Sequence, residues 1–599
     1  MPKFFTLITV IGIFIIFGVA GKFIYDDYSN LRKKISAHNN SVAVLPVKES
    51  TIAGGVVPHH SVAESIIEDF FSNIAKVEYL ETIVLLSPNH FDSVNFAKEE
   101  AFISVSKDAR DLDGLEIDNS LLNDLSVKNK FEFNSSFIKL DHGITNLLPF
   151  IKKHFPKTKI VPILVPFETD KEKIKKLAKD INSKISSNGI VIASVDFSHY
   201  LPKSVADLHD IKSTRTLVNF EEEEFENLEV DCWQCLYVAR LFARQRGKEF
   251  PEIIARNNSV DFSGIKDEEE TTSYVSIVFK EGTFRDKKII ESKTVLFVGD
   301  IMLDREVENL MAKNGTLYPF RKINRFTNGV DIVFGNLEGP IVKDLPDFSD
   351  RSLKFAFSKN TVEGLAFGNF SLLSLANNHT LNARENGPRE TREFLKKGAI
   401  DFVGDPSECS QEFSYQKNGI AFLAFNETYP SSCTDKEIID TIKSVKAKNP
   451  EDFLIVSLHW GNKYRLTSSY NQRKLACQII DAGADLIIGH HPHVVQEIEI
   501  YKNKLIFYSL GNFIFDQYFS KNTQQGLAVG LEIYPNANAQ KYSSLNGKEL
   551  VFRLFPIQSK LSQPFLMEQK NAKLFLEKLA KKSDKSLAEG IRSGIIEIK

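Results

Sequence analysis

From Val42 onward, short apolar runs alternate with longer stretches of helical periodicity. The runs "TIVLLSPNH", "KIVPILVPF" and "GIVIASVDFSHY" are rich in Val, Ile and Leu at odd and even positions alike. A half-exposed strand would alternate apolar with polar, so this pattern predicts a largely parallel sheet covered by helices. Asp170–Ser187, lysine-rich with helical spacing, is one predicted helix. The block closes with "TTSYVSIVFK", and the charged stretch 281–293 predicts a boundary. A second block opens at "TVLFVGD" and continues with "DIVFGNLEGP", "FSLLSLANNH", "FLIVSLHWG", "LIIGHHPHVVQ" and "LIFYSLGNFIF". Each is an apolar strand ending in polar residues, and helices are predicted at Arg389–Lys397 and Asn471–Ala482. Beyond about Pro535 come another strand-like piece and an amphipathic, lysine-rich tail from Pro564. There is no internal repeat.

The N-terminus breaks the pattern. No charge falls between Lys3 and Lys22, a run that as a helix reaches roughly 27 Å and just spans a hydrocarbon core. It reads as an uncleaved anchor or a cleaved signal peptide, with Gly18-Val19-Ala20 as a possible cleavage form. The polar stretch 36–41 reads as a linker. Segments 1–35 (anchor and flank), 43–280, 281–293 (linker), 294–535 and 536–599 (C-terminal extension) are the expected divisions. The basic residues flanking the span do not fix its orientation. One span ahead of large soluble segments favours a membrane-anchored, extracytoplasmic protein, with secretion after cleavage as the alternative.

At 599 residues the chain is too long for one ordinary domain. Its 42% hydrophobic and 26% charged residues are those of a globular protein. A net charge of −3 gives no electrostatic case for nucleic acid. Five cysteines are too few and too odd in number for a disulfide-built fold.

Polar residues just past strand ends gather along one edge of a sheet, where open α/β proteins build their sites. The second block places Asp300, Asn336, Glu338, Asn378, His379, His459, His491 and His493 there, with His490 beside them. Such mixed oxygen and nitrogen donors suit Mn, Zn or Fe. Two ions about 3.5–4 Å apart would clamp a phosphoryl group, and Glu338 is the candidate bridge. The "HPH" spacing favours His491 over His490 as the inward ring.

The order "GD…GNLE…NNH…HWG…GHHPHVVQ…SLGNFIF" resembles the CapA family of poly-γ-glutamate capsule biosynthesis proteins, within the calcineurin-like metallophosphatase superfamily. The resemblance covers roughly Thr294–Tyr534. It implies two packed β-sheets flanked by helices and a dinuclear metal centre. It makes Asp300 and His493 ligands of the first ion, Asn378, His459 and His491 ligands of the second, and Glu338 the bridge. His379 would act on the leaving group or phosphate. Asp300 is followed by Ile301 and Met302 where the superfamily has Asp-x-His, so one imidazole is missing. Asn336 and Glu338 stand where Asp is usual.

The first block offers "VVPHHS", "LLSPNH", "KLDHGIT", "ASVDFSHY" and "VDCWQC" at its strand ends. One cysteine, several histidines and a carboxylate could hold a single Fe, Cu or Zn ion. These motifs resemble the Memo family (AmmeMemoRadiSam system protein B), which shares the fold of class III extradiol dioxygenases, over roughly Ala43–Phe279. The resemblance makes His59, His90 and Cys232 metal ligands and puts His142, Asp196 and His199 in the pocket. Thr145 replaces a usual Glu and Trp233 a usual Gly. Cys232 and Cys235 could instead be a redox pair or a zinc half-site, or Cys235 could be simply buried.

The expectation is thus an α/β membrane protein joining a Memo-like domain to a CapA-like one, working in capsule-type polymer synthesis or export. Its second domain would hydrolyse an anionic polymer or phosphoester beside other synthase subunits. One alternative is a non-catalytic metal-bearing scaffold or polymer-binding subunit of a membrane synthase. Another is iron-dependent redox chemistry in the first domain.

Overall fold

The computed structural model describes residues 50–598 apart from 77–78, 92–100, 265–269, 283–290, 348–352, 384–385, 411, 413, 429–432 and 535–549. The expected N-terminal span, its cleavage form and its linker lie outside the described residues, as does most of the 281–293 boundary. No helix among the described residues is long and apolar enough to cross a membrane.

In the first half, Ile52–Val57, Gly189–Ser194, Thr82–Pro88 and Lys159–Val165 run parallel and side by side. The first three are buried at every position, as their two-sided apolar pattern requires. Thr271–Lys280 and Phe250–Asn258 add an antiparallel edge. Helices including Glu64–Ala75, Lys171–Lys184 and Trp233–Gln245 cover the sheet with apolar faces.

The second half is two sheets packed face to face. One runs in the order Asp401–Val403, Leu372–Ser374, Ile332–Leu337, Lys293–Ile301, Gln525–Ile533, Leu550–Lys560 and Gln563–Leu566. The other centres on Ile420–Asn426, Phe453–His459 and Leu486–His490, all parallel. Phe297 and Phe334 of one sheet and Phe422, Ile455 and Ile488 of the other share a core. Phe334 stacks on Phe422 with centroids 5.3 Å apart. Helices Asp435–Lys448 and Tyr470–Asp481 cover the outer face of the second sheet. The segment read as a C-terminal extension is integral to the first sheet. Leu550–Lys560 pairs with Gln525–Ile533 along its length, and Ile595–Ile598 pairs with it in turn.

The halves are joined through helix Lys203–Asn219. Its Val205 and Leu208 belong to the core of the second half. Arg215 donates bidentately to Asp331 at 2.6 and 2.7 Å, to Glu221 at 2.9 and 3.0 Å, and to the Ser292 carbonyl at 2.9 Å. His209 is fully buried, its Nε2 3.1 Å from the Phe326 carbonyl and its Nδ1 3.3 Å from the Ser198 hydroxyl. Burial pushes its imidazole down to about 4.

Two outcomes follow from this joint. Arg215→Ala strands Asp331 in the interface and costs about 3–5 kcal/mol, read as a fall in midpoint on chemical denaturation. Folded His209 charges only near pH 4, whereas the unfolded side chain charges near 6.5. Its contribution to stability is therefore complete above pH 6.5 and is lost as pH falls towards 4, by about 1.4 kcal/mol per unit. His209→Gln should flatten the fall in Tm across that window, and identical slopes for variant and parent would refute the assignment.

Candidate metal centres

Both candidate centres lie where parallel strands end. In the second half, Asp300 is the penultimate residue of strand Lys293–Ile301, Glu338 follows Leu337, and His459 ends the strand from Phe453. Gly299 precedes Asp300 for a steric reason: a Cβ there would sit 1.9 Å from the Gly511 carbonyl oxygen. His491 and His493 hold positive φ of 94° and 58°, as do Arg305 and Tyr464 at 57° and 64°. Left-handed backbone at four non-glycine residues around one point is strain the fold must hold in place.

Two groups of ligand atoms result. Asn378 Oδ1 is 2.7 Å from His459 Nε2, which is 3.0 Å from His491 Nδ1. Beside them, His493 Nδ1 is 3.2 Å from Asp300 Oδ2, and His493 Nε2 is 3.6 Å from Glu338 Oε1. His379 Nε2 approaches the same Glu338 oxygen at 3.6 Å. Ligand atoms of Asp300, Glu338 and His459 lie within 4.8 Å of one another. All are buried except Asn378, which is partly exposed.

The donor set fits divalent cations. Both Glu338 oxygens, His379 Nε2, His493 Nε2 and both nitrogens of His490 are buried without a hydrogen-bond partner among the described residues. Contacts of 3.6 Å are too long for hydrogen bonds. They approach the roughly 3 Å spacing of neighbouring ligand atoms each about 2 Å from one ion. Burial pushes the Glu338 carboxyl up to about 8. Burial would raise Asp300 too, but His490 and His493 hold it well below the ordinary range. Burial, aided by neighbouring cations, drives His379 and His491 down to about 3. His459 is driven well below its usual value by the same cause. Burial also opposes charge on His493, yet Glu338 and Asp300 carry it upward.

Asn336 serves differently from the carboxylate usual at its position. Its amide nitrogen donates to Asp300 Oδ1 at 2.8 Å and lies 3.2 Å from His459 Nδ1. It ties Asp300 and His459 together from behind. Both His490 and His491 are buried at this point. His490 Nδ1 lies 3.3 Å from Asp300 Oδ1, while His491 faces His459. The sequence reading missed the residues that orient the rings. Asn382 Oδ1 accepts from His379 Nδ1 at 2.9 Å, and Asn512 Oδ1 lies 3.0 Å from His493 Nδ1. Both sat in view, in "NNHTLN" and "SLGNF", but an asparagine in a loop carries no signal of its own. Arg305 was also missed. It pairs with Asp516, and its guanidinium lies 4.9 and 5.7 Å from the Phe355 and Phe515 ring centroids.

In the first half, His59, His90 and His142 converge, with ligand atoms within 4.8 Å of one another. His59 is buried, His90 half-buried and His142 exposed. His90 Nδ1 bonds Asp141 Oδ2 at 2.9 Å. His59 Nδ1 lies 3.2 Å from Ser194 Oγ, whose hydroxyl donates to the Gly143 carbonyl at 2.6 Å. Asp196 accepts the His59 backbone N–H at 3.0 Å. Burial, then the charges of His90 and His142, holds His59 well below its usual value. Burial raises Asp196, and raises Asp231 well above the carboxylate range. His199 lies opposite Thr272 in the sheet, within electrostatic reach of Asp196, His59 and His90, and burial pushes it down to about 4.

Cys232 does not fit its expected role. It is disulfide-bonded to Cys235, so its sulfur has no thiolate to offer an ion. As N-cap of helix Trp233–Gln245, Sγ accepts the Cys235 N–H at 3.1 Å. The spacing Cys-x-x-Cys indicated a pair; it could not indicate that the pair is closed. Cys409 and Cys433 form a second disulfide.

Comparison with known proteins agrees with this division. The family "Bacterial capsule synthesis protein PGA_cap" matches residues 294–517 and the family "Memo-like protein" matches residues 17–263. "Capsule biosynthesis protein CapA" of Bacillus anthracis is 34% identical over 259 residues, 40% of this chain and 63% of that protein. "PGA biosynthesis protein CapA" of Bacillus subtilis is 35% identical over 250 residues, 39% of this chain and 65% of that protein. The chain thus spans slightly less than two thirds of each. A "MEMO1 family protein" of Caldivirga maquilingensis is 25% identical over 251 residues, 40% of this chain and 87% of that protein. The chain carries a PGA_cap (CapA) domain at its C-terminal end and a Memo-like domain at its N-terminal end.

Proposed function

We propose that the protein serves capsule-type (poly-γ-glutamate or similar) polymer synthesis or export, and that its C-terminal domain is a dinuclear metallohydrolase. The observation that carries the hydrolase reading is the buried, unpartnered Glu338 carboxylate between His379, His493 and the Asn378–His459–His491 group. The names of the Bacillus relatives support the polymer. The apolar run before Lys22 supports a membrane anchor, and the two disulfides suit an oxidising, extracytoplasmic compartment.

In this reading Asp300, His493 and Glu338 would hold one divalent ion and Asn378, His459 and His491 the other, Glu338 being the candidate shared ligand. Bound ions would supply Lewis acidity and a water of lowered pKa. The protein's own part is orientation and proton handling. Asn382 fixes the proton of His379 on Nδ1, so Nε2 presents a lone pair towards the centre. At neutral pH His379 is uncharged, so its Nε2 would accept a hydrogen bond from the reacting water or leaving group and orient it. Arg305 adds positive charge for an anionic substrate.

A second reading, a metal-bearing scaffold, is favoured by Met302. It occupies the place of the missing imidazole, is fully buried, and its sulfur accepts the Asp304 N–H at 3.1 Å. Turnover separates the two. Full-length protein loaded with Mn should hydrolyse phosphomonoester or phosphodiester probes or shorten poly-γ-glutamate. His379→Ala should cut kcat about 10²–10⁴-fold with metal content unchanged. Bound ions without turnover of any of these would leave the scaffold. Mn or Zn at about a hundredfold Kd should also stabilise the fold by roughly 2.7 kcal/mol, seen as a higher Tm. A Glu338→Gln, His493→Ala double variant should lose most of that gain; a parent Tm indifferent to metal would refute the centre itself.

A further inference from the structure

We propose that the N-terminal centre holds its ion through His59, His90, His142 and the carboxylate of Asp231, with no sulfur ligand. Asp231 Oδ2 lies 3.5 Å from His59 Nε2, and Asp231 Oδ1 is buried without a hydrogen-bond partner among the described residues. A buried carboxylate with one oxygen beside His59 and the other unpartnered among the described residues is costly unless a cation meets it. Its direction is fixed from both sides. Asp231 Oδ2 accepts the Asp196 N–H at 3.1 Å, and the Asp231 N–H donates to the Asp196 carbonyl at 3.2 Å.

The rings are set for the same point. The Ser194 hydroxyl is spent on the Gly143 carbonyl, so its oxygen accepts from His59 Nδ1. Asp141 takes the His90 Nδ1 proton. Both tautomers leave Nε2 as a lone pair, the arrangement in which a carboxylate or oxygen behind a metal-bound ring orients it. Asp196 is a positioning residue. Its Oδ2 is 3.6 Å from His59 Nε2, but Oδ1 is engaged by the His59 N–H.

The neighbouring sulfur is excluded by chemistry: the disulfide leaves Cys232 no lone thiolate, and its Sγ faces the Cys235 N–H. Three nitrogens and one oxygen form a harder set than one containing thiolate. It favours Fe(II), Mn(II) or Zn(II) over Cu(I), which prefers sulfur. Exposed His142 leaves one side open to a further small ligand.

The test uses full-length protein, purified without reductant and titrated with Co(II), in a His491→Ala, His493→Ala background that weakens the other centre. The absorption spectrum should show ligand-field bands and no near-ultraviolet sulfur-to-cobalt charge-transfer band, before and after reduction. Asp231→Asn should weaken Co(II) binding at least about tenfold. Cys232→Ser with Cys235→Ser should leave affinity within about threefold. A charge-transfer band in either redox state overturns the assignment, as does binding lost with the cysteines but kept in Asp231→Asn. Should the double cysteine variant fail to fold, the spectrum of the reduced, otherwise unaltered protein decides alone. None of these outcomes depends on hydrolysis by the C-terminal domain.

Discussion

An ionised carboxylate taken out of water without a partner costs several kcal/mol or more, and Glu338 is placed in that position. Two packed sheets exclude water from it, and no donor among the described residues answers either oxygen. Its neighbours carry the same constraint. The rings facing it are held neutral by burial, apart from His493, which shares its proton field with Glu338 and Asp300. Proton uptake and cation binding are the two ways such a site reaches balance, and they compete for the same oxygens. A site built of oxygen, amide and imidazole therefore links ion affinity to pH through Glu338, whose carboxyl is pushed to about 8.

The fold maintains this by placing stiff elements behind the candidate ligands. Asp300 and His459 lie within the last two residues of strands, fixed by ladder bonds, and the Glu338 N–H donates to the Ile301 carbonyl at 2.8 Å. His491 and His493 are not on strands; they hold left-handed conformations that a free loop would abandon. What retains them is contact on both sides. The Tyr464 N–H donates to the Pro492 carbonyl at 2.8 Å, and the His491 N–H reaches Asp300 Oδ2 at 3.4 Å. Lys582, from the C-terminal helix, donates to the Val495 carbonyl at 2.6 Å. The segment read as an amphipathic tail thus secures the end of the histidine loop.

Much of this could be read from the sequence because the signals are local. An apolar run ending in "GD", "NNH" or "HPH" states both the strand and the edge on which its polar residues emerge. The parallel sheet and the candidate residues at its strand ends come from that one relation, whereas the two packed sheets of the second half come from the family resemblance. What could not be read depends on partners distant in sequence. Asn336 as a tie rather than a ligand requires Asp300 and His459 to flank it. Asn512 and Asn382 matter only because rings arrive beside them. Asp231 was hidden by its neighbour: a cysteine in a metal motif draws the assignment, while the carboxylate beside it looks like part of a turn. The disulfide, formed by closure of the motif on itself, reverses their roles.

The junction between the halves makes the same point about range. Helix Lys203–Asn219 has almost no amphipathic character in its sequence, with polar and charged residues on every face. Yet thirteen of its residues are buried, including His209, Asp210, Lys212 and Arg215. A helix polar all round is stable inside a protein only if each charge finds a partner. Here the partners come from both halves: Asp331 and the Phe326 and Val330 carbonyls from one, Glu221 and Glu224 from the other. Cutting the chain between residues 280 and 293 would leave these groups buried on one side and bare on the other, and would expose Val205 and Leu208. The two domains are therefore recognisable as separate families and yet built as a single folding unit, with the helix as the part neither could keep alone.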